Sequence, residues 1–86
     1  MPVDVVECRA VVGHRLWLRF DDGSSGEVDV AELVPFRGVF ADLVDPEAFA
    51  KVRVDGDLGT VVWPSGADLD PDVLHARITG RSLDAA

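Results

Sequence analysis

The 86-residue chain carries 8 Lys and Arg against 16 Asp and Glu, a formal net charge of −8 with both histidines neutral, and is 48% apolar. That length holds one domain, and the acidic balance argues against direct binding of nucleic acid, because gripping phosphates needs clustered Lys and Arg. A lone Cys8 excludes a disulfide scaffold, and with no apolar run near ~18 residues and no basic leader the expectation is a cytoplasmic protein that does not span a membrane.

Residues 4–12 read as a strand, with Val6, Cys8, Ala10 and Val12 on one face and Glu7, Arg9 and Val11 on the other. Gly13-His14 ends it. Residues 15–20 alternate most clearly: Leu16, Leu18 and Phe20 point one way, Arg15, Trp17 and Arg19 the other. Asp21 to Ser25 form a turn, and residues 26–30 a third strand with Val28 and Val30 inward and Glu27 and Asp29 outward.

Directly opposed residues share a sheet face, so pairing Leu18 with Val28 and Phe20 with Gly26 keeps the apolar face whole. A two-residue Asp22-Gly23 turn would set Glu27 against Leu18. The expectation is therefore a longer loop of odd length with Gly23 at positive φ. In that register Arg19 faces Glu27 and Trp17 faces Asp29, with Glu7 or Arg9 flanking them from the first strand.

Ala31-Glu32-Leu33-Val34 read as one helical turn stopped by Pro35, and Val39, Phe40 and Leu43 as a short amphipathic helix. Asp45 caps the next helix, with Pro46 at its first position and Phe49 as its buried anchor. Val52 and Val54 alternate with Arg53 and Asp55 in a fourth strand. Residues 55–59 turn, and residues 60–63 form a fifth strand, with Pro64 at its end or at an edge. Asp70 caps the last helix, with Pro71 first, Val73, Leu74, Ala76, Arg77 and Ile78 along it, and Gly80 closing it. The expected fold is α+β: an antiparallel three-stranded meander followed by short helices, a β-hairpin and a C-terminal helix. It forms a single small domain over 1–86, with its core at about 4–80 and a frayed end at 81–86.

The run from Trp63 to Leu74, with Trp63, Pro64, Gly66, Asp68, Asp70, Pro71 and Leu74 as its marks, resembles a small bacterial family known as domain of unknown function 2442. Leu16-x-Leu18-x-Phe20-Asp21-x-Gly23, Val28-Asp29-Val30, Phe40-x-x-Leu43-x-Asp45 and Phe49-x-x-Val52 are similar to the rest of its pattern, so the resemblance spans roughly residues 4–76. His75 stands where the family usually has Tyr. The resemblance implies a compact α+β fold, a meander with short helices. Some members of that family are fused to a helix-turn-helix segment; others are encoded beside a second small protein and described as antitoxins. No catalytic residue set comes with it.

Asp68, Asp70 and Asp72 alternate like the opening of a calcium loop, but its sixth and twelfth positions would fall on Val73 and Thr79 rather than Gly and Glu. The simpler reading has Asp70 and Asp72 serving the helix start and Asp68 binding the loop's own amides. His14 and His75 have no i±4 partner and Cys8 completes no zinc spacing, so no metal is expected. Both histidines read as surface or half-buried residues, and Cys8 as an inert packed thiol. Trp63 reads as a core or corner residue, with strand addition at a rim near Pro64 as a second use.

The candidate partner-binding face is Arg9, Arg15, Trp17 and Arg19, because Trp and Arg dominate protein–protein hot spots and guanidinium groups stack on indole. The competing reading buries Trp17 beneath a helix. The sequence thus suggests a non-enzymatic interaction module with no cofactor, binding a protein partner and open to homodimerisation; the antitoxin role follows from the resemblance alone. The alternative is a small-molecule-binding or regulatory domain that works with a separate or fused DNA-binding partner.

Overall fold

A computed structural model describes residues 3–80. The fold is α+β. Strands β1 (Val5–Val11), β2 (Arg15–Phe20) and β3 (Ser25–Asp29) form an antiparallel sheet in the order β1-β2-β3. Helix α1 (Val30–Leu33), a 3-10 segment over Gly38–Val44 and helix α2 (Pro46–Phe49) follow. Strands β4 (Arg53–Asp55) and β5 (Thr60–Val62) make a separate hairpin, and helix α3 (Pro71–Thr79) ends the described chain. The frayed end expected at 81–86 lies outside the described residues.

The period-two alternation of β2 fixes where the core sits. Leu16, Leu18 and Phe20 are wholly buried, and Val28, Val30, Leu43, Phe49, Val61, Trp63 and Leu74 close over them. These contacts bring the helices and the β4–β5 hairpin to one side of the meander. The Val5 amide donates to the Gly59 carbonyl at 2.9 Å, which joins the edge of β1 to the hairpin turn.

The first strand departs from the expected alternation. Simple alternation puts Val6 inward, yet it is 43% exposed, while Val5 beside it is buried. A bulge is responsible: Val5 pairs with Phe20 and Glu7 with Arg19, so Val6 is the extra residue and the parity of the strand changes there. Beyond the bulge Cys8 and Ala10 do pack against the core. Val12 does not; it lies in the β1–β2 turn and is 91% exposed.

The second hairpin keeps the expected face but moves by two residues. Leu18 pairs with Gly26 and Leu16 with Val28, rather than Leu18 with Val28 and Phe20 with Gly26. The loop is odd in length and Gly23 has φ +90°, as its sequence requires, but only Asp21, Asp22 and Gly23 form it. Asp22 explains the tightness. Its Oδ1 accepts from the Ser24 amide at 2.9 Å and from the Ser24 hydroxyl at 2.6 Å, and the Phe20 amide donates to the Ser24 carbonyl at 2.8 Å. Glu27 therefore stands opposite Trp17, not Arg19, and Asp29 opposite Arg15, not Trp17. Val30 leaves the strand and opens α1, capped by the Asp29 carboxylate on the Ala31 amide at 3.0 Å.

The capped helices follow their sequence signals. Asp45 and Asp70 each accept an amide hydrogen bond two residues on, with Pro46 and Pro71 in the first turn, and Gly80 ends α3 at φ +75°. The middle amphipathic segment is a 3-10 turn rather than an α-helix. Phe40 and Leu43 are three apart, a spacing that eclipses in 3-10 geometry, so both reach the core while Val39 is left 48% exposed. Asp68 makes a backbone bridge with Val62 instead of capping loop amides through its side chain.

Because Leu18 has no exposed surface and sits between both neighbours in the sheet, its truncation leaves a cavity. Leu18→Ala is expected to lower unfolding free energy by about 2–5 kcal/mol, read from the urea midpoint at unchanged m-value.

Candidate functional site

The side of the meander opposite the core is a grid of nine residues. The antiparallel registers align Glu7, Arg19 and Ser25 in one row, Arg9, Trp17 and Glu27 in the next, and Val11, Arg15 and Asp29 in the third. None of the nine is buried, and Glu7, Arg9, Arg15, Arg19, Ser25 and Glu27 are exposed. The helices pack against the opposite face, so Trp17 is half-buried by its neighbours in the sheet, and among the described residues no helix or strand roofs it.

Each contact in the grid follows from strand pairing. Arg9, directly across from Trp17, lays its guanidinium carbon 5.2 Å from the indole centroid. Arg19 Nε donates to Glu7 Oε1 at 3.0 Å, again from a directly paired residue. Arg15 reaches Glu27 diagonally at 3.8 Å. Both ion pairs are about half exposed and contribute little, typically ~0.2–1 kcal/mol for such pairs. Their consequence is order: they hold Glu7 with Arg19 and Arg15 with Glu27 beside the tryptophan. Three Arg meet three carboxylates here, so the face is charge-balanced although the whole chain is at −8. The structure thus brings together Arg9, Arg15, Trp17 and Arg19, all four candidate residues.

The other marked residues are structural. Trp63 is 2% exposed and its Nε1 donates to the Phe49 carbonyl at 2.9 Å, tying β5 to α2. Pro64, Ser65 and Gly66 form the turn after it: the Gly66 amide donates to the Trp63 carbonyl and the Trp63 amide to the Ala67 carbonyl, both at 2.9 Å. Gly66 has φ +94°, a conformation that favours glycine. Asp70 and Pro71 start α3, which buries Leu74. Burial, and then the neighbouring Glu7 charge, push the Cys8 thiol above its usual range, which keeps it from acting as a thiolate.

Two histidine contacts were not visible in the sequence. His14, at φ 59° in the β1–β2 turn, packs its ring 5.2 Å from Phe36 and 5.3 Å from Phe49, and its Nε2 donates to the Val44 carbonyl at 3.0 Å. It fastens the hairpin tip to the segment before α2. His75 of α3 stacks edge-on to Phe20 at 4.9 Å and meets Asp22 Oδ2 at 2.9 Å through Nε2. The separations, 30 and 53 residues, carry no local signal. Among the described residues, no group of three or more His, Cys, Asp and Glu is arranged to hold a metal, and no helix is long and apolar enough to cross a membrane.

Two measurements check this layout. A Trp63→Phe variant leaves only Trp17, and its fluorescence is expected to be quenched readily by acrylamide; Trp17→Phe leaves only buried Trp63, which is expected to resist quenching. Asp22 gives a pH signature. Hydrogen bonds from the Ser24 hydroxyl and amide, then from His75, hold its carboxyl well below 3.8, at about 2. Its ionised form therefore favours the folded state above pH 3.8, and that contribution disappears as pH falls through about 2. The stability difference between wild type and Asp22→Asn is expected to shrink as pH falls from 4 towards 2.

No curated protein and no solved structure matches the chain. A family profile does, and it covers most of the sequence: with residues 5–80 matched, the chain belongs to the family described as protein of unknown function (DUF2442).

Proposed function

We propose that this protein is a non-enzymatic interaction module that binds a protein partner through the outer face of its meander. The observation that carries this reading is the half-exposed Trp17 at the centre of an uncovered, charge-balanced sheet face on an otherwise acidic molecule. A flat sheet gives a rigid platform, and the arginines present pre-ordered guanidinium planes. Aromatic and Arg anchors of this kind supply most of the energy in protein interfaces. The acidic charge outside the face speeds encounter with a basic partner. In this reading the protein works in the cytosol, makes no direct contact with nucleic acid, and acts as the antitoxin half of a toxin–antitoxin pair, the role the family resemblance suggests.

A small-molecule regulatory role finds a physical ground in the mostly apolar cleft of about 240 Å³ between Val11, Val12, His14, Pro46, Phe49 and Ala50. It falls below the roughly 300–1,000 Å³ of ordinary ligand pockets, so the protein-binding reading is preferred.

The test is co-expression of the full chain with the product of the adjacent open reading frame. Co-purification is expected for wild type, with loss of about 2 kcal/mol or more of binding free energy in Trp17→Ala, as for a central hot spot. Retention of wild-type affinity by both Trp17→Ala and Arg9→Ala would falsify the assignment of this face.

A further inference from the structure

The sheet has two edge strands; β1 is tied to the β4–β5 turn through the Val5 amide, whereas no such bond reaches β3 among the described residues. Among the described residues strand β3 pairs with β2 alone. The phase of its hydrogen bonds is fixed at both ends: the Phe20 amide donates to the Ser24 carbonyl and the Val30 amide to the His14 carbonyl. Antiparallel strands alternate between residues that turn both backbone groups towards the neighbour and residues that turn both away. Ser24, Gly26, Val28 and Val30 therefore face β2, and Ser25 and Glu27 present N–H and C=O to the outside. Among the described residues no hydrogen bond engages those groups. A cleft of about 250 Å³ lies along this edge, lined by Arg15, Glu27, Val28, Asp29, Glu32 and Arg77 with Leu33. Glu27, Asp29 and Glu32 outnumber Arg15 and Arg77 in this lining, which therefore carries one net negative charge, and the 3.8 Å Arg15–Glu27 pair is open to solvent.

We infer that the β3 edge is a strand-addition site for an extended partner segment carrying Lys or Arg at alternate positions. Backbone pairing to Ser25 and Glu27 supplies the attachment, and alternate basic side chains on the outer face meet Glu27 and Asp29 across the new strand pair. Opposite charge selects the occupant. A second copy paired antiparallel about Glu27 sets that carboxylate against its own counterpart, on two molecules that each carry −8. The edge is continuous with the outer face, since Glu27 and Arg15 belong to both, so an added strand widens the platform beside Trp17. This rests on the reading that the chain works by binding a protein.

The probe is a synthetic peptide of about six residues, a typical strand length, alternating Lys or Arg with Val, beside a counterpart in which Glu replaces the basic residues. Hydrogen exchange of the full chain is followed by NMR. Without peptide the Ser25 and Glu27 amides are expected to exchange quickly and Gly26 and Val28 slowly. Saturating basic peptide is expected to slow Ser25 and Glu27 by about tenfold or more, and the acidic peptide to leave them unchanged. Ser25→Pro removes an amide that the fold does not use, so it is expected to keep the wild-type melting temperature and lose peptide protection. Trp17→Ala is expected to keep the protection, which separates failure of the edge from failure of the outer face. Three results would overturn the inference: peptide binding that protects neither amide, slow exchange of both in the free chain, or protection that rises with protein concentration alone and so identifies a second copy as the occupant.

Discussion

The structure depends on the alternation within β2. Leu16, Leu18 and Phe20 have no exposed surface, and the residues between them, Arg15, Trp17 and Arg19, are turned to the opposite side by the pleat. Every helix and the β4–β5 hairpin are drawn to the apolar side because only there is there surface to bury. The same six residues therefore create both the core and the open face: a strand cannot bury three large side chains on one side of a single-layer sheet without displaying the alternate three on the other.

That constraint makes the candidate site a property of the fold. Trp17 is held by its flanking strands and not by a loop, so its position is as stable as the sheet itself. Arg9 and Glu27 reach it from either side because β1 and β3 pair directly across from it. The two ion pairs add order more than stability. Outside this face the chain bears its whole excess of negative charge, a field that would attract the basic partner proposed above over long range.

The fold was legible where a residue's role is local. Asp45-Pro46 and Asp70-Pro71 announce helix starts, Gly80 a helix end, and Gly23 a left-handed turn position, because capping and φ preferences act within a few residues. The face of each residue in β2 and β3 was legible too, since parity follows from burial. What was hidden required either an inserted residue or a distant partner. The bulge at Val6 cannot be told from a regular strand when Val5 and Val6 are both valine. The register of β3 turned on the Asp22–Ser24 hydrogen bonds, which shorten the loop from the expected five residues to three without changing parity. The openness of Trp17 turned on which face the helices choose, a tertiary outcome that no local pattern encodes.

Trp17, and not the other tryptophan, is the proposed point of contact with a protein partner. The most direct measurement is the pair of indole N–H resonances of the isotope-labelled full chain during titration with the neighbouring gene product. The Trp17 indole is expected to shift or broaden in step with complex formation while the Trp63 indole, hydrogen-bonded to the Phe49 carbonyl inside the core, stays in place. A complex that forms with the Trp17 resonance unmoved would contradict that assignment.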